Sequence, residues 1–329
     1  MTIDVHTHFI PSTLVAALRA RTAMPRIVDN ATAPQIEYGA GNGHVLQPNM
    51  EDLDLRLREM GEQGIDYAVL STNVPGVDWF PKADAPAIAR DVNDELKGLA
   101  TDHADRLAVL AVLPMQAPEA AAAELERAVG GGAVGAMIYS NVAGTPLDDP
   151  GLTVVFDAAA ALRVPLYIHP NAVPADNWKV VQGYPGMDTA MWSWAPRTGG
   201  HAMRLILGGV FDRYPNARVI LGHMGEFLPF QLSRLDSRFE VLDFEHPPER
   251  LPSDYFRTNI AITTTGVFSH AALIAAIQAV GVDNVMFSID YPFESTEKAV
   301  QFIRTAPLAP ADQARVAHVN AERILRLNQ

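Results

Sequence analysis

The stretch Ile3-Asp4-Val5-His6-Thr7-His8-Phe9, near the start of the chain, combines apolar residues with two histidines two positions apart. Such a short apolar segment predicts a β-strand, in which residues i and i+2 lie on one face. His6 and His8 are therefore expected to point the same way. Two neutral imidazoles at a strand end favour a metal-binding pair. The alternative is a surface strand that binds nothing.

Composition limits what kind of metal site the chain can build. The chain has 329 residues, 48% of them hydrophobic, which is enough for a large core in two domains or in one α/β barrel. It contains no Cys, which excludes disulfides, thiolate metal sites, iron–sulfur clusters and Cys nucleophiles. Any metal must therefore be held by His and carboxylate side chains.

Charge and hydropathy restrict the partners. The net charge of −13 argues against a surface for nucleic acid or anionic membranes. No apolar run is long enough to cross a bilayer, and the N-terminus shows no signal-peptide pattern. A cytoplasmic protein acting on a small molecule is the expectation.

Short apolar segments alternate with helical sequence along the whole chain, which favours parallel strands. Eight strands are predicted, at Ile3–Phe9, Tyr67–Ser71, Leu107–Leu113, Gly135–Tyr139, Pro165–His169, Arg218–Gly222, Phe256–Ile262 and Val285–Asp290. Eight such units close a (β/α)8 TIM barrel. An open doubly wound sheet is the alternative, but no Gly-rich phosphate motif follows the first strand. No linker or repeat divides the chain, so residues 1–329 are expected to form one domain.

Two long insertions interrupt this alternation, after the first and fifth strands. The first, Thr22–Asn49, is rich in Pro, Gly and Asn and is predicted to be an irregular lid, from which His44 could reach a pocket. The second, Pro170–Thr198, carries Trp178, Trp192 and Trp194, one of which is expected to line the pocket.

Further polar residues stand at the ends of predicted strands. His169 ends the fifth strand, His223 follows the sixth, and Asp290 ends the eighth. Barrel active sites lie at the carboxyl ends of the strands, so these side chains should meet His6 and His8. Histidines and a carboxylate suit one divalent ion with an open position, and the remaining His could act as acid or base. The fourth strand offers no Lys that could bridge two ions, so one metal ion is expected.

These motifs resemble the amidohydrolase superfamily, and within it the branch of aminocarboxymuconate-semialdehyde decarboxylase and γ-resorcylate decarboxylase. The segments that carry the resemblance are His6-Thr7-His8, His169, Leu113–Glu119, Gly208–Pro215, Gly222–Glu226, Leu228–Phe230 and Ser288–Phe293. The resemblance covers nearly the whole chain. It implies a homodimer and a metal site of His6, His8, His169 and Asp290 holding zinc or manganese.

The resemblance also implies roles around the metal. His223 would carry a proton or polarise bound water, and Glu226, on a predicted helix Gly225–Leu242, would orient it; alternatively, Glu226 only stabilises the helix N-terminus. Arg234 would reach the substrate of the neighbouring subunit, or else is a solvated surface residue. Phe293 and His44 are expected to contact substrate.

The chain departs from both branches of the family. The γ-resorcylate branch usually has Glu-x-His on the first strand, where this chain has His6-x-His8. The aminocarboxymuconate branch uses an Arg before the helix of the second strand to bind the substrate carboxylate, and Val45–Asn49 contains none. The substrate therefore cannot be transferred from either branch.

Three functions are compatible with this pattern. The favoured one is non-oxidative decarboxylation of an aromatic or unsaturated acid resembling a dihydroxybenzoate, with His223 or Asp290 relaying the proton. The second is hydrolysis or hydration by a metal-activated water, with a lactone, an amide or an enol or keto acid as substrate. The third, a non-catalytic metal-binding scaffold, explains less well why the ligands lie where barrels perform chemistry.

Overall fold

A computed structural model describes residues 1–39, 42–171, 178–184 and 186–327 of the chain. The strands are β1 (Ile3–His8), β2 (Arg26–Asp29), β3 (Pro34–Gly39), β4 (Asn42–Val45), β5 (Tyr67–Ser71), β6 (Leu107–Val109), β7 (Ala111–Val112), β8 (Ala136–Tyr139), β9 (Asn141–Val142), β10 (Thr145–Pro146), β11 (Pro165–His169), β12 (Arg218–Leu221), β13 (Ile260–Thr263) and β14 (Val285–Met286). The helices are α1 (Ser12–Arg19), α2 (Leu53–Gln63), α3 (Ala85–Asp102), α4 (Pro118–Gly130), α5 (Thr153–Leu162), α6 (Trp194–Leu207), α7 (Val210–Arg213), α8 (His223–Glu226), α9 (Leu232–Phe239), α10 (Pro252–Thr258), α11 (His270–Val280), α12 (Thr296–Arg304), α13 (Pro310–Ala314) and α14 (Asn320–Ile324).

The parallel strands form a closed ring. β1, β5 and β6 pair in that order, and β7, β8, β11, β12, β13 and β14 pair in a second run. β6 and β7 are two halves of one strand joined at Leu110, whose N–H donates to Leu70 at 2.9 Å. The ring closes between β1 and the segment after β14, where the N–H of His8 donates to the carbonyl of Tyr291 at 2.8 Å. The predicted (β/α)8 barrel is confirmed, with β6 and β7 counted as one strand of eight in the described residues.

A bulge in β1 decides which way its histidines face. Asp4 is opposite Ala68 and Thr7 is opposite Leu70, so β1 holds one extra residue between these two pairs. Ile3 and Val5 pack inside the barrel, and after the bulge His6 lies against Tyr167, which is also inside. A regular strand with Ile3 and Val5 inside would turn both histidines outward.

The core has two layers. Inside the barrel, the first halves of the strands contribute one apolar cluster, closed from below by Ile324, Leu325 and Leu327 at the end of the chain. A larger cluster lies between the strands and the surrounding helices. The apolar packing ends at the carboxyl ends of the strands, where buried His and Asp side chains begin.

Residues at its two ends fix where α2, the helix that follows the first insertion, begins and stops. Asp52 precedes α2, and its carboxylate accepts from the N–H of Leu55 at 2.9 Å, which satisfies a free donor at the helix start. The helix ends at Gly64, whose φ of 81° is favourable only for glycine. The buried Arg56 of α2 faces the first strand, where it donates to Asp4.

Several predicted boundaries are wrong. The first insertion is not irregular, because β2, β3 and β4 form a three-stranded antiparallel sheet. The predicted seventh strand begins inside α10, and the predicted eighth strand continues past Met286 without regular pairing. The predicted helix Gly225–Leu242 is broken by left-handed residues before α9 begins.

The second insertion is only partly within the described residues. Residues 172–177 and 185 of the predicted loop Pro170–Thr198 lie outside them, and α6 already begins at Trp194. Among the helices of the described residues, none combines the length and the apolar character that crossing a bilayer requires.

Candidate metal centre

Three buried histidines converge at the carboxyl ends of β1 and β11. One ring nitrogen from each of His6, His8 and His169 lies within 4.8 Å of the others. The Nε2 atoms of His6 and His8 are 3.1 Å apart. The Oδ1 atom of Asp290 lies 3.3 Å from Nε2 of His6 and 3.2 Å from Nε2 of His8. The structure therefore brings together all four residues that the sequence predicted as metal ligands.

The far side of two imidazoles is fixed by hydrogen bonds. Nδ1 of His6 lies 2.6 Å from the hydroxyl of Tyr167. Nδ1 of His169 lies 2.7 Å from the carbonyl oxygen of Pro170, which can only accept, so this nitrogen carries the hydrogen. Such contacts fix the ring and leave Nε2 with a free lone pair for a metal.

Burial keeps these rings neutral. It lowers the pKa of His6 to about 4 and the pKa of His169 well below its usual value. Burial alone would raise the pKa of Asp290, but the neighbouring rings of His223, His6 and His8 outweigh it and hold this pKa well below its ordinary range. Neutral imidazoles and an ionised carboxylate are the protonation states that a metal ion needs.

The donor set fits one divalent ion. Donors about 2.0–2.2 Å from a single ion lie about 3.0–3.5 Å apart. The 3.1, 3.2 and 3.3 Å separations among His6, His8 and Asp290 fall in this range. Unshared lone pairs this close repel one another in a buried site, and a cation removes the repulsion. The centre can therefore hold one metal ion.

His223 stands beside the ligands and is oriented by Glu226. Its Nδ1 lies 2.7 Å from Oε1 of the buried Glu226, and its Nε2 lies 3.7 Å from Oδ2 of Asp290. Burial lowers the pKa of His223, but Glu226 and Asp290 outweigh this and raise it to about 10. The predicted partnership of His223 and Glu226 thus exists, within a tight turn.

The backbone that presents these groups is strained. His223, Glu226 and Asp290 have φ values of 47°, 54° and 84°, in a region that L-residues rarely adopt. Gly225 makes the turn possible, because a Cβ there would lie 2.8 Å from Pro229 and 2.9 Å from Ile262. Such strain persists where surrounding packing fixes it and where geometry serves the site.

A buried ion pair connects β1 to the segment after β14, which together carry three of the four predicted ligands. Oδ1 of Asp4 accepts from the N–H of His6 at 3.2 Å and from the N–H of Ile289 at 3.0 Å. Oδ2 of Asp4 accepts from Arg56 at 3.0 Å, and the Arg56 guanidinium lies 3.6 Å from the ring centre of Tyr291. Asp4 thus spans β1 and the segment after β14, directly behind His6 and Asp290.

Replacing Arg56 with Met should weaken both the fold and the metal site. It leaves Asp4 buried without its partner, so we expect a loss of about 3–5 kcal/mol in the free energy of unfolding and weaker metal binding. Denaturant titration and metal-binding isotherms measure these two effects. Arg58→Met, two positions along the same helix but exposed, should change neither. Unaltered metal affinity in Arg56→Met would show that Asp4 alone holds the two strands.

A cavity of about 400 Å³ opens above the centre. Residues of both insertions and of the metal centre line this cavity. They include His8, Tyr38, His44, Asn73, His169, Asp188, Thr189, Trp194, Arg197, His223, Asp290, Phe293 and Glu294. The volume lies within the range of small-molecule sites. The His44 ring centre is 5.5 Å from that of Phe293, which is 5.7 Å from that of His8. His44 and Phe293, two of the three residues predicted to contact substrate, therefore line the cavity.

Arg234 lies elsewhere. It is exposed on α9 and does not line the cavity of its own chain. Among the three tryptophans of the second insertion, Trp194 lines the cavity, and Trp192 packs on Phe227 with 5.9 Å between ring centres.

Sequence reasoning missed Tyr167, Arg197 and the pair of Asp4 and Arg56. Tyr167 stands two residues before His169 in a strand and so shares its face, which could have revealed it. Arg197 contacts Asp188 and lines the cavity, but no local pattern marks it. Asp4 and Arg56 are 52 residues apart, so only the fold reveals their contact.

Comparisons with known proteins agree with this geometry. The amidohydrolase family model Amidohydro_2 matches residues 3–327. γ-Resorcylate decarboxylase of Rhizobium sp. (strain MTP-10005) is 37% identical over 295 residues, covering 86% of this chain and 90% of the relative. The chain belongs to the amidohydrolase family.

Two solved structures extend the likeness. 5-Carboxyvanillate decarboxylase from Sphingomonas paucimobilis superposes with a TM-score of 0.88 at 37% identity, over 99% of both chains. Dihydroxybenzoic acid decarboxylase from Polaromonas sp. JS666, with bound manganese and the inhibitor 2-nitroresorcinol, gives a TM-score of 0.86 at 31% identity, covering 100% of this chain and 97% of that one.

Proposed function

We propose that this protein is a metal-dependent, non-oxidative decarboxylase of an aromatic carboxylic acid of the dihydroxybenzoate type. The observation that carries the proposal is the convergence of His6, His8, His169 and Asp290 beneath a cavity with aromatic walls, with His223 beside it. The names of its relatives, which are decarboxylases of such acids, support the same reaction.

His6, His8, His169 and Asp290 would hold the ion, and manganese or zinc suits this set of N and O donors. When bound, the ion supplies positive charge that fixes and neutralises the oxygens of the substrate. The protein itself supplies the shape: Phe293 and His44 form one wall, and Trp194 contributes from the second insertion. These walls hold an aromatic ring above the ligands and exclude water.

The chemical step needs a proton at the ring carbon that bears the carboxylate. The bond between this carbon and the carboxyl carbon breaks, its electron pair stays with the ring, CO2 leaves, and the proton takes its place. The pair of His223 and Asp290 would supply that proton. Glu226 holds Nδ1 of His223, so Nε2 stays directed toward Asp290 and the substrate.

Phe293 provides a test of the aromatic wall. Phe293→Ala should raise the KM for an aromatic acid about tenfold, because stacking and apolar contact are lost, while kcat changes less. Steady-state kinetics separate the two constants. Phe230→Ala removes an equally exposed Phe (44% against 42%) that does not line the cavity, and it should leave KM unchanged. Equal effects in both variants would remove Phe293 from the substrate site.

The decisive screen compares two reactions on one metal-loaded preparation. Dihydroxybenzoates and related acids are assayed for CO2 release, and lactones, amides and esters are assayed for hydrolysis. We expect CO2 release from at least one hydroxylated benzoic acid. Hydrolysis of any ester, lactone or amide without CO2 release from any acid would make the protein a hydrolase of the same family.

Further proposals concern the whole molecule. We infer that the chain forms one domain, since the family model extends over residues 3–327. We also infer a cytoplasmic location.

Arg234 could contact a substrate only in a neighbouring subunit, because it does not line its own cavity. The proposed homodimer therefore predicts that Arg234→Ala impairs turnover although its own metal site stays intact.

A further inference from the structure

Four arginines surround a second cavity, of about 410 Å³, at the opposite end of the barrel. They are Arg163, Arg218, Arg323 and Arg326. Pro165 and Arg218 are the first residues of β11 and β12 and lie opposite each other in the sheet. The metal centre lies at the other ends of these strands, so the barrel separates the two cavities.

Nothing acidic balances these arginines. Among the described residues, no Asp or Glu lines this cavity. The contacts that the guanidinium groups do make are to backbone: Arg218 donates to the carbonyl of Thr258 at 3.3 Å, and Arg323 to the carbonyl of Asp283 at 2.5 Å. The Asp283 carboxylate instead pairs with Arg315, at 3.4 Å. A guanidinium has five donors, so most donors of Arg218 and Arg323 remain for a ligand.

The four arginines bring their positive charges together on one face of the barrel. Burial and the nearby charge of Arg323 lower the pKa of Arg218, which still remains charged. Arg163 and Arg326 have φ values of 55° and 52°, a region in which Gly or Asn is less strained. Like charges gathered in a concave site repel one another and attract a counter-ion. The chain as a whole is acidic, with a net charge of −13, so this cationic face stands apart.

We propose that this arginine cavity binds a small phosphate-bearing anion. Guanidinium groups match phosphate oxygens with paired hydrogen bonds, and the volume suits a small molecule rather than a protein segment. This site would be separate from the decarboxylase centre, and it does not depend on that reaction.

Inorganic phosphate is the probe. It is titrated calorimetrically into manganese-loaded protein, with the ionic strength held constant by sodium chloride, and sulfate is tested as a second dianion. We expect one saturable phosphate site per chain and a rise in the midpoint of thermal unfolding, since a ligand of the folded state stabilises it. The double variant Arg218→Gln/Arg323→Gln should bind phosphate about tenfold or more weakly, because charge-assisted hydrogen bonds are lost.

Two further variants keep the outcome clear. Arg163→Gln/Arg326→Gln changes exposed residues only. It should also weaken phosphate binding, and it tests the proposal even if the first pair impairs folding. Arg58→Gln removes one positive charge at an exposed position of α2, outside this cavity's lining, and should bind phosphate like the native protein. Loss of phosphate binding on His169→Ala but not in the arginine variants would place the anion at the metal centre and overturn the proposal. Equal weakening in Arg58→Gln, or no saturable binding, would also overturn it.

Discussion

Replacing His223 with Ala should abolish most decarboxylation while the metal stays bound. His223 contacts Asp290 through Nε2 at 3.7 Å but is not one of the three converging histidines. Its removal takes away a group that we expect to move the proton, and general acid–base groups contribute about 10²–10⁴-fold to rate. We expect kcat to fall by about 10³-fold and the metal content to remain that of the native protein. Single-turnover kinetics and elemental analysis measure the two quantities.

Glu226→Gln is the matched comparison. A Gln oxygen can still accept from Nδ1 of His223, so the ring stays oriented, but the negative charge that stabilises the imidazolium is gone. We expect a smaller loss of kcat than in His223→Ala. Loss of metal in His223→Ala would make His223 a ligand, and full activity in that variant would remove it from the proton path.

Replacing His169 with Ala should remove the metal and with it all turnover. His169 is the proposed ligand from β11, on the opposite side of the site from β1, and its Nδ1 is fixed by Pro170. Residues that merely support metal ligands change affinity by 10–100-fold, so we expect loss of the ligand itself to exceed about 100-fold. Metal-binding isotherms and CO2 release should fall together.

Tyr167→Phe distinguishes a residue that only orients a metal ligand from a residue that binds the metal itself. It removes the hydroxyl that lies 2.6 Å from Nδ1 of His6 and 2.9 Å from Thr263, but keeps the ring. We expect weaker metal binding than in the native protein and much stronger binding than in His169→Ala. Native metal affinity in His169→Ala would show that β1 and Asp290 bind the ion without β11.

The residues of the candidate metal centre could be predicted because each lies at or near the end of a short apolar run. A buried His or Asp at the end of a strand is unfavourable without a partner, and the barrel places all strand ends on one face. The position of Asp290 was predictable for the same reason, although regular pairing in β14 ends at Met286. Local residue patterns were sufficient to predict which residues meet, because the shared direction of the strands places their ends at one face. They did not predict how each side chain is turned.

Other features depend on contacts that no local pattern contains. The bulge that turns His6 inward results from the pairing of β1 with β5. The antiparallel sheet of β2, β3 and β4 forms within the first insertion, whose many Gly and Asn residues predict a loop. The turn at His223 is left-handed, and a Cβ at Gly225 would clash with Pro229 and Ile262, so helical periodicity predicted the wrong backbone there.

The central claim is that one metal ion per chain drives release of CO2 from an aromatic acid. The direct test titrates metal-free protein with Mn²⁺ while CO2 release from 2,6-dihydroxybenzoate and related hydroxybenzoates is recorded. We expect no release without metal and a linear rise that stops at one ion per chain. CO2 release without metal, a break at two ions, or metal-dependent hydrolysis without any decarboxylation would contradict it.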